Sequence, residues 1–74
     1  MSALRIDEAV FGPDHPNVAT DVNNLGSVLQ ALGDRAGARE CFQRALGIFR
    51  QRLPPDHPYI RITEENLRRV ALHE

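Results

Sequence analysis

The chain has 74 residues, of which 42% are hydrophobic and 26% are charged, so it is long enough for one small folded domain and too apolar to be disordered. Its formal net charge of −1 gives no electrostatic attraction to nucleic acid or to an anionic membrane, and neither is expected as a partner. No apolar run approaches the roughly 20 residues of a membrane span, and the N-terminal residues lack a signal-peptide core, so we expect a cytoplasmic location.

Two helices are predicted in the first half of the chain. The first covers residues 3–11 and ends at a Gly-Pro pair. The second covers residues 16–32 and begins with Pro16, whose missing N–H costs nothing at the first helical position. Because the residue before a proline is pushed out of the α region, His15 is expected to cap this helix.

Two further helices are predicted in the second half of the chain. One covers residues 35–53, with Asp34 as its N-cap after a glycine that ends the preceding helix, and it stops at a Pro-Pro pair. The other covers residues 58–72 and begins with Pro58. No stretch alternates as a strand does, so the predicted fold class is all-α, with antiparallel helices.

The apolar residues of these helices recur at spacings of three and four, which places them in one continuous stripe on each helix. In the second helix the stripe is Val18, Val22, Leu25, Leu29 and Leu32. Small residues between large ones let two helices approach closely. We expect one buried core that contains Leu25, Leu29, Ala38, Phe42, Ala45 and Leu46.

The sequence repeats itself with a period of 42 residues. Three groups of identical residues recur in one register: Ala3-Leu4-x-Ile6 with Ala45-Leu46-x-Ile48, Pro13-Asp14-His15-Pro16 with Pro55-Asp56-His57-Pro58, and Asn24-Leu25-x-x-Val28 with Asn66-Leu67-x-x-Val70. A period of roughly 20 to 50 residues is typical of a solenoid built from stacked helices.

The segment from residue 22 to residue 45 resembles the tetratricopeptide repeat. The matching residues are Val22, Leu25-Gly26 and Leu29 in the first helix of the repeat, then Ala38, Phe42 and Ala45 in the second. The long period and the Gly-Pro-Asp-His-Pro linker resemble the kinesin-light-chain subtype of these repeats. The resemblance implies an α-solenoid fragment that binds other proteins.

In this frame residues 1–74 form a single domain with one complete repeat over residues 16–53. Residues 3–11 are expected to be the second helix of a preceding repeat, and residues 58–72 the first helix of a following one. We therefore expect a fragment of a longer array from a larger scaffold or signalling protein.

Residues that could carry chemistry are few. His15 and His57 occupy equivalent positions. Neighbouring helices are roughly 10 Å apart, too far for a shared ion, so we interpret Asp-His-Pro as a helix-start device. The only cysteine, Cys41, is interpreted as a packed or half-exposed thiol, because no neighbouring group would stabilise a thiolate. The sequence predicts no enzyme: no catalytic residue, metal site or cofactor is expected.

A groove for a protein or peptide partner is expected along the first helices of successive repeats, which line the concave surface of such arrays. The resemblance implies that Asn24 and its repeat mate Asn66 hydrogen-bond the backbone of a bound peptide, since an amide donates and accepts at once. The other expected peptide-binding residues are Asn23, Thr20, Ser27 and Arg69. Arg69 would hold a carboxylate of the ligand.

An alternative function is that of a structural spacer or self-association module without a peptide ligand. The last predicted helix suggests it, because its stripe of Ile60, Leu67, Val70 and Ala71 is expected to need a covering neighbour on each side. Such uncovered terminal helices are expected to make a homo-oligomer.

Overall fold

The computed structural model describes residues 15–72, which form three α-helices: α1 (Pro16–Ala31), α2 (Arg35–Arg52) and α3 (Pro58–Leu72). The three helices predicted in this range are confirmed, two of them ending one residue early, whereas the predicted helix over residues 3–11 lies outside the described residues. Short connections make neighbouring helices antiparallel. Within residues 15–72 no strand occurs, and no helix is long and apolar enough to cross a membrane.

Two of the helices begin with the same histidine cap. The Nδ1 atom of His15 accepts a hydrogen bond from the backbone N–H of Asn17 at 3.0 Å. The Nδ1 atom of His57 accepts one from the backbone N–H of Tyr59, also at 3.0 Å. Each bond satisfies a donor that the first turn of a helix otherwise leaves unpaired. The interpretation of the two histidines as part of a helix-start device is therefore confirmed, whereas Asp14 lies outside the described residues.

The turn between α1 and α2 combines a glycine with an aspartate. Gly33 has a φ of 93°, a left-handed conformation that residues with a side chain rarely adopt, and its N–H donates to the carbonyl of Gln30. The N–H of Asp34 donates to the carbonyl of Leu29 at 2.8 Å. The Asp34 carboxylate in turn accepts a hydrogen bond from the N–H of Gly37 at 2.9 Å. Asp34 thus helps to end one helix and caps the next.

The contact between α1 and α2 requires a residue without a side chain. A Cβ atom on Gly26 would lie 2.7 Å from Cε1 of Phe42, closer than two carbon atoms can approach. The ring of Phe42 is completely buried, so it has no open space to move into. The main hydrophobic cluster lies alongside and contains Val18, Ala19, Val22, Ala45, Leu46, Ile48, Phe49 and Ile60.

The third helix, α3, contributes residues to two hydrophobic clusters, one near its beginning and one near its end. Ile60 belongs to the main cluster, whereas Val70 is completely buried in a second cluster with Ala38 and Phe42 of α2. Leu67 packs against both clusters. The stripe of Ile60, Leu67, Val70 and Ala71 was expected to need a second covering helix. For Ile60 and Val70 this expectation is wrong, because packing inside the chain already buries both, whereas Leu67 is half-buried and Ala71 is exposed.

The face that α1 turns toward α2 also differs from the prediction. Leu25 is 36% exposed and Leu29 is half-buried, although both were expected in the core. The contact is centred between Val22 and Gly26, and a helix turns about 100° per residue, so Leu25 lies about 80° to one side. The other expected core residues, Ala38, Phe42, Ala45 and Leu46, are buried as predicted.

We expect Phe42→Ala to destabilise the chain by about 3–5 kcal/mol, since the ring contacts both Gly26 and Val70 and its loss leaves a cavity among all three helices. A change of this size is a large part of the about 5–15 kcal/mol that stabilises a small protein. Urea and thermal unfolding followed by circular dichroism would measure it. An unchanged melting temperature would contradict the core assignment.

Two glycine substitutions test the close approach of α1 and α2. Gly26→Ala is expected to destabilise the chain by about 1–3 kcal/mol, because its methyl group would overlap the Phe42 ring. Gly47 on α2 is the matched control, since no atom lies within 4 Å of an added Cβ there. Gly47→Ala should stabilise the chain by about 0.5–1 kcal/mol through helix propensity. Equal effects in urea unfolding would show that the approach does not depend on Gly26.

Candidate functional site

A surface cavity of about 190 Å³ lies between α1 and α3. Its lining residues are Thr20, Asn23, Asn24, Phe49, Tyr59 and Ile62. Three of them come from α1, two from α3 and one from α2. The cavity therefore lies between the two helices along which the sequence predicts a binding groove.

One side of the cavity is aromatic. Tyr59 is 50% exposed, and the centre of its ring lies 5.6 Å from that of Phe49 and 4.6 Å from that of His57. The same His57 accepts the hydrogen bond from the Tyr59 backbone that caps α3. The helix cap thus also holds the tyrosine ring in place. Because Phe49 is only 1% exposed, Tyr59 is the ring that a ligand would contact.

The α1 side of the cavity carries amide and hydroxyl groups. Asn24 is exposed, whereas Asn23 is half-buried and its Oδ1 atom accepts a hydrogen bond from Nδ2 of Asn66 at 3.3 Å. This bond joins α1 directly to α3. The hydroxyl of Thr20 donates to the carbonyl of Pro16 at 3.1 Å, which orients the side chain one turn before Asn24.

The two repeated asparagines, Asn24 and Asn66, differ in their surroundings. Asn24 lines the cavity and is exposed, while Asn66 is half-buried and donates to Asn23. The 42-residue register alone implies the same role for both. In the structure only Asn24 presents its amide directly, and Asn66 positions the neighbouring Asn23.

Ser27 and Arg69 lie outside the cavity lining. The Ser27 hydroxyl donates to the carbonyl of Asn23 at 3.4 Å, along the outside of α1. Arg69 is exposed, with its Nε atom 4.0 Å from Oε2 of Glu65. An ion pair so exposed contributes little to stability, so it does not fix the arginine. A role in binding stays a prediction for both residues.

Sequence reasoning did not find two aromatic residues of the lining. Phe49 lies in the core, and it also borders the cavity. Tyr59 was given no role. No local signal in the sequence places Tyr59 in the lining, because its ring reaches the cavity from α3.

The lining has no charged side chain among the described residues, and its polar groups are amides and hydroxyls. Such groups suit a peptide backbone, which has one donor and one acceptor per residue. Within residues 15–72 no group of three or more His, Cys, Asp or Glu residues could hold a metal ion.

Cys41 is the one side chain of nucleophilic type on α2 within residues 15–72. Burial raises the pKa of its thiol above the ordinary value, and the Glu40 carboxylate raises it further. Arg44 lowers this pKa and Asp34 raises it, both by smaller amounts. A thiol with a raised pKa is protonated at neutral pH and is a weak nucleophile. These surroundings agree with the interpretation of Cys41 as a packed thiol.

The sequence of the chain also matches the profile of a known protein family. The family profile of the tetratricopeptide repeat matches residues 1–51, which is more than half of the chain. The chain belongs to the tetratricopeptide repeat family. Modules of this family are non-catalytic helical repeats that generally mediate protein–protein interaction. A search of curated proteins found no match to the chain.

The raised pKa of Cys41 in this tetratricopeptide chain predicts slow alkylation. Because burial disfavours the thiolate, iodoacetamide should modify the folded chain more slowly at pH 7.5 than the urea-unfolded chain, in which the same thiol has its ordinary pKa. The rate for the folded chain should still be rising at a pH where that for the unfolded chain has levelled off. Mass spectrometry of timed samples would measure both rates, and equal rates at pH 7.5 would contradict the assignment.

Proposed function

We propose that the chain is a protein–protein interaction module whose cavity between α1 and α3 receives an extended segment of a partner protein. The observation that supports this most directly is the presence, in one cavity, of the exposed amide of Asn24 and the half-exposed ring of Tyr59. An amide can pair with a peptide bond of any sequence, and an aromatic ring offers a large apolar contact. The cavity thus offers both contacts that an extended peptide makes.

The size of the cavity supports a peptide rather than a cofactor as the ligand. Its volume of about 190 Å³ is below the roughly 300–1,000 Å³ of typical small-molecule sites. A single apolar side chain of a peptide fits better, packed against Tyr59 and the half-exposed Ile62. The peptide bonds on either side of it would then lie along Asn24 and Thr20.

The hydrogen bond between Asn23 and Asn66 supports a site that is formed before the ligand arrives. Because Oδ1 of Asn23 accepts from Asn66, the Nδ2 group of Asn23 is the part that would donate to a peptide carbonyl. A side chain held in this way loses less conformational entropy on binding. Asn66 therefore contributes to the proposed site as a positioning residue.

Ser27 and Arg69 extend the proposed binding surface beyond the cavity. Ser27 follows Asn23 by one turn on α1, and Arg69 follows Asn66 by three residues on α3. Arg69 would exchange its exposed contact with Glu65 for a carboxylate of the ligand. A ligand with an acidic residue near its apolar anchor fits this surface.

We also propose that the repeat is of the kinesin-light-chain-like subtype and serves in a scaffold or signalling protein of the cytoplasm. The register of 42 residues supports the subtype, because Pro16 and Pro58 both open a helix behind a histidine cap. One complete repeat over residues 16–53 follows from that register. A structure of the parent protein with successive first helices 34 residues apart would contradict it.

A second candidate function is that of a spacer, or of a module that forms a homo-oligomer without a peptide ligand. Two apolar residues at the end of α1 favour it, since Val28 is 54% exposed and Leu32 is 76% exposed. The two candidate functions assign different roles to Asn24. A peptide site loses affinity when this amide is removed, whereas a spacer is unaffected.

Selection of peptides from a display library against the full chain would test the proposed site. The selected peptides should share an apolar residue, and Asn24→Ala should weaken their binding about three- to tenfold, the equivalent of one hydrogen bond. Tyr59→Ala should weaken it by a similar factor through lost apolar contact. Fluorescence anisotropy titrations with a labelled peptide would measure these affinities.

Gln43→Ala is the matched control, since it removes an exposed amide from α2 outside the cavity lining. It should leave both the affinity and the melting temperature unchanged. Asn24→Ala should also leave the melting temperature unchanged, because the side chain is exposed. If no peptide is selected, or if neither Asn24→Ala nor Tyr59→Ala weakens binding, the cavity is not a peptide site and the spacer function is favoured.

A further inference from the structure

The hydrogen bond between Asn23 and Asn66 determines which polar group of Asn23 a ligand can meet. Oδ1 of Asn23 accepts from Nδ2 of Asn66 at 3.3 Å, which leaves Nδ2 of Asn23, a group that can only donate. Asn23 lines the cavity and is half-buried. A ligand donor placed there would stay unpaired, which is unfavourable away from water. This side chain therefore selects an acceptor, such as a peptide carbonyl.

The α3 side of the cavity offers a fixed apolar surface. The ring of Tyr59 contacts two others: the centre of the Phe49 ring lies 5.6 Å away, and the His57 ring lies edge-on with its centre 4.6 Å away. Ile62, about one turn later on α3, is 51% exposed and continues this surface. A ring fixed in this way gives a ligand a flat contact with little further loss of side-chain entropy. Proline-rich segments dock on exposed aromatic surfaces in several unrelated binding domains.

The aromatic surface on α3 has no counterpart on α1. The positions 42 residues before Tyr59 and Ile62 are Asn17 and Thr20, which are both polar. The two sides of the cavity therefore differ in chemistry: a ligand meets apolar surface on α3 and the donor of Asn23 on α1. The apolar group of the ligand and its acceptor must accordingly face different helices.

The distance between the two helices suits one conformation of an extended segment. A polyproline II helix rises about 3.1 Å per residue with about three residues per turn, so equivalent groups recur about every 9 Å. Neighbouring helices are roughly 10 Å apart, so one turn of such a segment reaches from α3 to α1. A β-strand repeats about every 6.8 Å, which is too short, and two such repeats, of about 13–14 Å, are too long. The spacing therefore favours polyproline II over a β-strand.

We propose that the cavity binds a proline-containing segment of a partner protein in the polyproline II conformation, with a proline ring on Tyr59 and a carbonyl one turn away on Nδ2 of Asn23. Proline suits this site because it has no N–H that would need an acceptor. The carbonyls of a polyproline II segment make no internal hydrogen bonds and are available to Asn23. The conformation is also preformed, so its binding costs less entropy. This inference rests on the proposed peptide-binding function and adds the class of peptide to it.

Two display libraries of short peptides, identical except for a fixed central proline or a fixed central valine, would test the proposal on the full chain. Valine has an apolar side chain of similar size, but it keeps its N–H and prefers the β conformation. We expect binders from the proline library, and replacing their fixed proline by valine should weaken binding at least fivefold. Tyr59 is the only tyrosine and the chain has no tryptophan, so intrinsic fluorescence can follow the binding of peptides that lack both residues.

Two asparagines of α1 provide a matched pair of variants. Asn23→Asp keeps the oxygen that accepts from Asn66 but replaces the donor that faces the ligand by a second acceptor, so it should weaken binding at least tenfold. Asn17→Asp makes the same change on the same helix at an exposed position outside the lining, and it should change the affinity less than twofold. Thermal unfolding of both variants would show that a loss of binding is not a loss of folding.

The outcomes separate this proposal from the proposed function. Binders from the valine library as tight as those from the proline library would overturn the preference for proline and leave the peptide site standing. Proline-free binders that become helical in circular dichroism when they bind would make a helix the ligand and would also overturn it. Equal effects of Asn23→Asp and Asn17→Asp would show that Asn23 does not contact a ligand carbonyl. The absence of binders from both libraries would overturn the peptide-binding function itself, and this inference with it.

Discussion

The contact between Gly26 and the ring of Phe42 determines where the three helices lie. A Cβ atom at position 26 would stand 2.7 Å from that ring, so α1 can approach α2 only because this position has no side chain. The same ring packs against Val70 of α3. One buried side chain therefore sets the positions of both α1 and α3, and the cavity between these helices depends on a contact that lies outside it.

Helix bounds could be predicted because the signals that set them are local. Proline at the first helical position, a histidine or aspartate cap and a glycine after the last turn act over two or three residues, and α1 begins at the predicted Pro16 for this reason. The buried face of α1 could not be predicted in the same way. An apolar stripe shows that a helix has neighbours but not which neighbour each residue meets, so Leu25 was placed against α2 although Gly26 lies there.

The residues of the candidate site also differ in whether the sequence could predict them. Thr20, Asn23 and Asn24 line one cavity because they lie on adjacent turns of one helix, which periodicity predicts. The bond from Asn66 to Asn23 joins residues 43 positions apart and depends on how α3 crosses α1. The spacing of residues along the chain does not determine the angle at which α3 crosses α1. Tyr59 was missed for the same reason, since its ring reaches the cavity from the far side.

Matching positions on α1 and α3 differ in charge. Val22 and Gly26, which α1 buries, correspond in the 42-residue register to Glu64 and Arg68 on α3. Glu64 forms an ion pair with Arg50 at 2.8 Å, and the side chain of Arg68 is 70% exposed. A helix packed over this face of α3 would have to remove both charges from water, and apolar contacts do not compensate for that desolvation. At the matching positions of α1, Val22 and Gly26 pack against α2 instead, so apolar packing favours a neighbouring helix at this face of α1 and opposes one at this face of α3.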